Sequence, residues 1–119
     1  MAYVDGFIVP VPKNRLDDYR KFATLASKVW RDHGALEYVE CIADDVPFGK
    51  RTSFPRSVKL KPDETVVFAW IVYQSRAQRD KVNALAMKDP RFGKMDPKTM
   101  PLDGKRMIFG GFKSFIMKR

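Results

Sequence analysis

Glu64-Thr-Val-Val-Phe-Ala-Trp-Ile-Val-Tyr-Gln74 is the stretch on which the fold turns. From Val66 to Tyr73 it is apolar without a break. A strand sends alternate side chains to opposite faces. One face therefore carries Val66, Phe68, Trp70 and Val72, and the other Val67, Ala69, Ile71 and Tyr73. A strand wetted on one side alternates apolar with polar residues. This one does not, so it is expected to lie inside a sheet that is covered on both faces.

Working outward, Tyr3 to Val11 reads as a second strand of the same kind, with apolar residues on both faces and Pro10 and Pro12 at its end. Asn14 is the expected N-cap of a helix whose stripe is Leu16, Tyr19, Phe22, Ala23, Ala26, Val29 and Trp30. Gly34 is its natural stop. Ala35 to Ala43 is the next strand, placing Leu36, Tyr38, Glu40 and Ile42 on one face and Glu37, Val39, Cys41 and Ala43 on the other. The segment 44–63 is long for a link between paired strands, and Ser57 to Leu60 is a candidate extra strand within it. It reads either as a solvated excursion or as a basic lid or anion-binding loop. Beyond Gln74, Ser75 and Gln78 form a capping box for a helix over 76–88, which Pro90 ends. Residues 91–104 read as irregular, and Lys105 to Ile116 as the last strand. Gly110-Gly111 inside it signals a bulge or a close backbone approach.

The order β-α-β-β-α-β over residues 1–119 predicts one α+β domain of the ferredoxin-like kind. Its four strands form an antiparallel sheet with both helices on one face. The other face is expected to carry part of Phe68, Trp70, Tyr3, Phe7, Phe109 and Phe112. Such a patch exceeds what monomers usually expose. A second copy, packed sheet against sheet about a two-fold axis, is the expected cover. The contact would bury roughly 1,500–2,500 Å² in total.

Composition narrows the partners. The chain has 119 residues, a net charge of +9 and a single cysteine, Cys41. No internal disulfide is available, no apolar run is long enough for a membrane span, and the first residues lack a signal-peptide pattern. These features point to the cytoplasm and away from membrane partners. The positive charge fits nucleic acid, anionic metabolites or a membrane surface, and plain solubility is the favoured reading over these.

His33, the only histidine, reads as a helix-end imidazole favoured by the dipole or as a general acid/base beside a cavity. Haem ligation is a further role open to the same residue. Trp70 and Tyr73 are candidates for stacking a flat substrate, and Arg56 and Arg79 for binding an anion. The same aromatics also suit a plain core. Glu37 and Glu40 have opposite strand parity, so they do not form a paired-carboxylate site unless the strand is bulged. If its face is buried, Glu40 requires an arginine or a tyrosine hydroxyl as partner. Cys41 reads as a packed residue, or as a nucleophile if His33 folds back on it. No metal-ligand spacing and no cofactor motif is present, so no cofactor is expected. RNA-recognition domains share the element order, but Thr65-Val-Val-Phe-Ala-Trp-Ile71 lacks their glycine and basic residue.

Several stretches carry a resemblance across nearly the whole chain. They are Tyr3-Val-Asp-Gly-Phe7, His33-Gly-Ala-Leu-Glu-Tyr-Val-Glu40, Thr52-Ser-Phe-Pro-Arg56, Phe68-Ala-Trp-Ile-Val-Tyr73, Met95-Asp-Pro97 and Asp103-Gly-Lys-Arg-Met-Ile108. By these the chain resembles the YbaA-like family, a domain of unknown function. The resemblance implies a dimeric α+β barrel. That superfamily includes cofactor-independent monooxygenases, haem-degrading enzymes, lactone isomerases and stress-related proteins, commonly with sites between helices and sheet. Three functional classes follow as expectations. They are a dimer binding or converting a small aromatic or anionic metabolite without a metal, a nucleic-acid-binding module, and a structural dimer without catalysis.

Overall fold

Strand β3 (Glu64–Tyr73) lies inside the sheet, between β2 (Glu37–Ile42) and β1 (Tyr3–Pro12). The computed structural model of the chain describes residues 2–119. Strand β4 (Ile108–Lys113) pairs with the other edge of β1, and the order β2-β3-β1-β4 is antiparallel throughout. Helix α1 (Leu16–Asp32) joins β1 to β2 and helix α3 (Arg76–Lys88) follows β3. Two four-residue helices, α2 (Phe54–Ser57) and α4 (Pro90–Gly93), lie in the connections. The fold is α+β and ferredoxin-like.

The parity of β3 is realised. Val67, Ala69, Ile71 and Tyr73 are buried in the helix-side core with Tyr19, Ala23, Ala26, Val29 and Trp30 of α1 and Val82 and Ala86 of α3. The three-and-four spacing of the α1 stripe brings these residues onto one side. Gly34 adopts φ +120°, a conformation that disfavours side chains, and turns the chain into β2. Arg31 fixes this exit by donating to the Ala35 carbonyl at 2.7 Å.

Local chemistry departs from the sequence reading at several places. Asn14 does not cap α1. Pro12 leads into a 3-10 turn over Lys13–Arg15, and α1 begins without a side-chain cap. Ser57–Leu60 is not a strand. The Ser53 hydroxyl accepts from the Arg56 N–H at 3.1 Å, Pro55 presets the first turn, and the segment becomes α2. Residues 91–104 are not wholly irregular, since Asp89 caps α4 and Asp96 caps a 3-10 turn at Pro97–Thr99. The last strand begins three residues later than expected, because Asp103 holds a turn through the N–H groups of Arg106 and Met107. It also ends early, at Lys113. Gly110-Gly111 makes no bulge, since the β1–β4 register runs unbroken. The Tyr3 ring lies where a Gly111 side chain would stand.

The segment 44–63 covers one end of the second sheet face. Helix α2 touches β1 and β3, and Val58, Pro55, Pro10 and Val66 are all buried. Arg106 fastens this cover by pairing with Glu64 at 2.5 Å and donating to the Lys59 carbonyl at 3.1 Å. The remainder of the face is open. Phe68 is 41 % exposed and Phe112 64 % exposed, with Trp70 between covered and open. Phe54 meets Phe68 edge-on, and Phe68 meets Trp70 likewise, at 5.8 and 5.7 Å between ring centres. Tyr3, Phe7 and Phe109 belong to the helix side instead. No helix of the described residues is long and apolar enough to cross a membrane.

Candidate functional site

Tyr38 and Glu40 are two residues apart on β2, so they project side by side toward the helices. Register sets Glu40 opposite Ala69, whose small side chain leaves room beside it. Tyr19 comes down from α1. Its hydroxyl donates to Glu40 Oε1 at 2.5 Å, and the Tyr38 hydroxyl donates to Oε2 at 2.8 Å. Burial, reinforced by the Glu40 charge, pushes both phenols above their ordinary value of 10.0. They therefore remain proton donors at physiological pH. Among the described residues no lysine, arginine or histidine forms an ion pair with Glu40.

This clasp borders a cavity of about 680 Å³ between α1 and the sheet. Its walls include Phe7, Phe22, Trp30, Ile71, Phe92 and Phe109, and its roof Met95, Pro97, Met100, Leu102 and Met107. Glu40 is the only charged side chain among the lining residues. Arg15 anchors the roof by donating to the carbonyls of Thr99 and Met100 at 2.8 and 3.2 Å. On the far side of the clasp lies a smaller groove of about 330 Å³, where Arg20, Thr24 and Ser27 join the same three residues. Tyr19, Glu40 and Tyr38 thus form a partition between an apolar chamber and a groove of mixed character.

The residues singled out by sequence stand elsewhere. His33 follows α1 and shares a 2.8 Å hydrogen bond with Asp89. Arg91 also holds Asp89, and together these bonds keep its carboxyl below the ordinary 3.8. Trp70 lies on the open face and donates to Glu37 Oε1 at 3.1 Å. Arg56 turns back to the carbonyls of Phe48 and Gly49. Tyr73 and Arg79 are brought together, in a buried network around Asp5. Arg79 pairs with Asp5 at 2.9 Å, and Tyr73 and Trp30 both donate to Asn83 Oδ1. None of His33, Trp70, Tyr73, Arg56 and Arg79 lines the large cavity. Trp70 and Tyr73 cannot grip one ligand, since their parity sends them to opposite faces. Cys41 is exposed, and its register position on β2 faces the open side.

The signal for the clasp was present as a buried-face glutamate beside a tyrosine. The missing piece was Tyr19, which its helical stripe presents as ordinary core.

The architecture has known counterparts. Rv0793 from Mycobacterium tuberculosis superposes over the full length of both chains with a TM-score of 0.61 at 12% identity. A dimeric ferredoxin-like protein from an uncultured marine organism gives 0.54 at 15% identity, over 100% of this chain and 99% of its own. At those identities the likeness speaks for the fold alone. The family described as "Protein of unknown function (DUF1428)" matches residues 2–104. The chain belongs to this family. A DUF1428 relative, the uncharacterized protein YbaA of Escherichia coli K12, is 50% identical over 116 residues, 98% of each chain. YbaA of Shigella flexneri matches to the same extent. The resemblance read from the sequence is therefore shown, and family membership leaves the role of the cavity to be argued from its chemistry.

Proposed function

We propose that this DUF1428 protein is a cytoplasmic homodimer whose protomers each bind a small, flat, largely apolar molecule between α1 and the sheet. The observation that carries the reading is a chamber of about 680 Å³ with aromatic walls and one carboxylate. Such a mostly apolar lining with few placed polar groups is typical of small-molecule sites. The Tyr19 and Tyr38 protons are spent on Glu40, so a ligand meets an acceptor there and must bring a donor. The wall disfavours an anion.

Sheet-to-sheet pairing is supported by the open apolar face and by the dimeric state of a solved neighbour. No residue that register places on that face is a lysine or arginine. It offers aromatic rings but no phosphate contacts, which favours a second copy over RNA. Light scattering at micromolar concentration is expected to give a dimer, and Phe112→Asp to weaken it about 100-fold. A monomeric parent chain overturns that part. In a thermal-shift screen, neutral bicyclic aromatics such as 1-naphthol and tryptophol are expected to raise the melting temperature. Ala69→Phe, which fills the chamber, removes the shift. A screen in which neither these nor their amine counterparts bind overturns the ligand reading.

A further inference from the structure

Three other carboxylates on the buried side of the surface each have an arginine at hand. Asp5 has Arg79 at 2.9 Å, Glu64 has Arg106 at 2.5 Å and Asp89 has Arg91 at 2.8 Å. Glu40 has hydroxyls alone. A carboxylate drawn out of water without a cation is costly, and hydroxyl donors compensate only part of that cost. The half-buried Glu40 keeps its remaining exposure toward the chamber and the groove. Its two oxygens offer about four acceptor directions, of which the tyrosines use one each. The site is oriented, unfilled in hydrogen-bonding capacity, and lacks positive charge.

Resting on the small-molecule reading above, we infer that the ligand of this chamber is an organic cation, an ammonium carried on an apolar or aromatic body. The ammonium supplies the countercharge that the protein withholds from Glu40. The rings of Phe22, Trp30 and Phe92 line the same space, and aromatic faces attract cations. Arg20 lines the groove across the partition and not the chamber. The overall charge of +9 opposes a cation only at range, and salt screens it beyond about 8 Å.

Three indoles with one body and different charge test this by calorimetry at pH 7. They are tryptamine, a cation; tryptophol, neutral; and indole-3-acetate, an anion. Tryptamine is expected to bind about ten-fold more tightly than tryptophol, the gain of a charge-assisted over a neutral hydrogen bond. Indole-3-acetate should bind weakest. Glu40→Gln keeps an acceptor for the tyrosines and is expected to level tryptamine with tryptophol. Tryptophol or indole-3-acetate binding as well as tryptamine to the parent chain overturns the charge assignment and leaves the chamber reading standing. A cation preference that survives Glu40→Gln overturns the role of Glu40. Failure of all three indoles takes down the chamber reading and the charge assignment with it. The parent-chain series needs no variant to fold.

Discussion

Asp5 on β1 and Glu40 on β2 both reach from the sheet toward the helices, and they are treated in opposite ways. Around Asp5 the protein is solid. Arg79 neutralises it, Tyr3 lies under the guanidinium, and Tyr73, Asn83 and Trp30 complete a closed network. Around Glu40 the protein is hollow, and the carboxylate is steered by two phenols without being neutralised. The difference separates a polar group kept for architecture from one kept for something that arrives. Internal charge compensation marks the first, and its lack beside an empty volume marks the second.

The largest expected effect comes from opening the solid end. Arg79→Met leaves Asp5 buried and unpaired, and urea unfolding at neutral pH should show a loss of about 3 kcal/mol. Burial already holds the Asp5 carboxyl above its ordinary 3.8, outweighing Arg79. A carboxyl with a raised folded value loses stability as pH rises through that range. The Arg79→Met deficit should therefore shrink below the ordinary 3.8, where both states are protonated. A deficit that grows in acid would contradict the comparison.

Gly111→Ala probes the packing of the same end. A methyl there would stand 2.7 Å from a carbon of the buried Tyr3 ring, and a loss of about 2 kcal/mol is expected. Glu64→Gln, of similar size at neutral pH at about 2 kcal/mol, supplies the contrasting acid response. Arg106 holds Glu64 below its ordinary 4.5, so the stabilisation is complete above that pH and is lost as pH falls. The variant should lose that limb of the pH profile and otherwise keep its shape.

Smaller effects belong to the hollow end. Tyr19→Phe removes one hydroxyl from Glu40 while Tyr38 remains, and should cost about 1 kcal/mol. Ala69→Val extends into open volume and should change stability by less than about 0.5 kcal/mol while weakening ligand binding. If Ala69→Val proves as damaging as Gly111→Ala, the chamber is packed and the contrast fails.

Much of the fold could be read from residue order. The unbroken apolar run of β3, the stripe of α1 and the Ser75 cap depend on short-range periodicity and on one hydroxyl meeting one N–H, and both are local. What escaped was set only in part by local signals. Phe54-Pro-Arg-Ser57 becomes helical because Ser53 and Pro55 favour it locally and Val58 finds burial against distant strands. The site was legible only in half. Tyr38 and Glu40 share a face by parity, and the need of a buried Glu40 for an arginine or a tyrosine hydroxyl follows from that. Tyr19 is 21 residues away, and only the descent of α1 onto β2 reveals it as the second donor. His33, Trp70 and Arg56 drew notice as chemically capable residues, yet each has its polar atoms directed to Asp89, Glu37 or main-chain oxygens.

Arg15 grips the chamber roof by peptide oxygens and by no side chain of the roof. Any residue at 99 or 100 presents the same two carbonyls to that grip. Of the roof side chains, Met100 can therefore be exchanged, reshaping what the chamber admits while its latch stays the same.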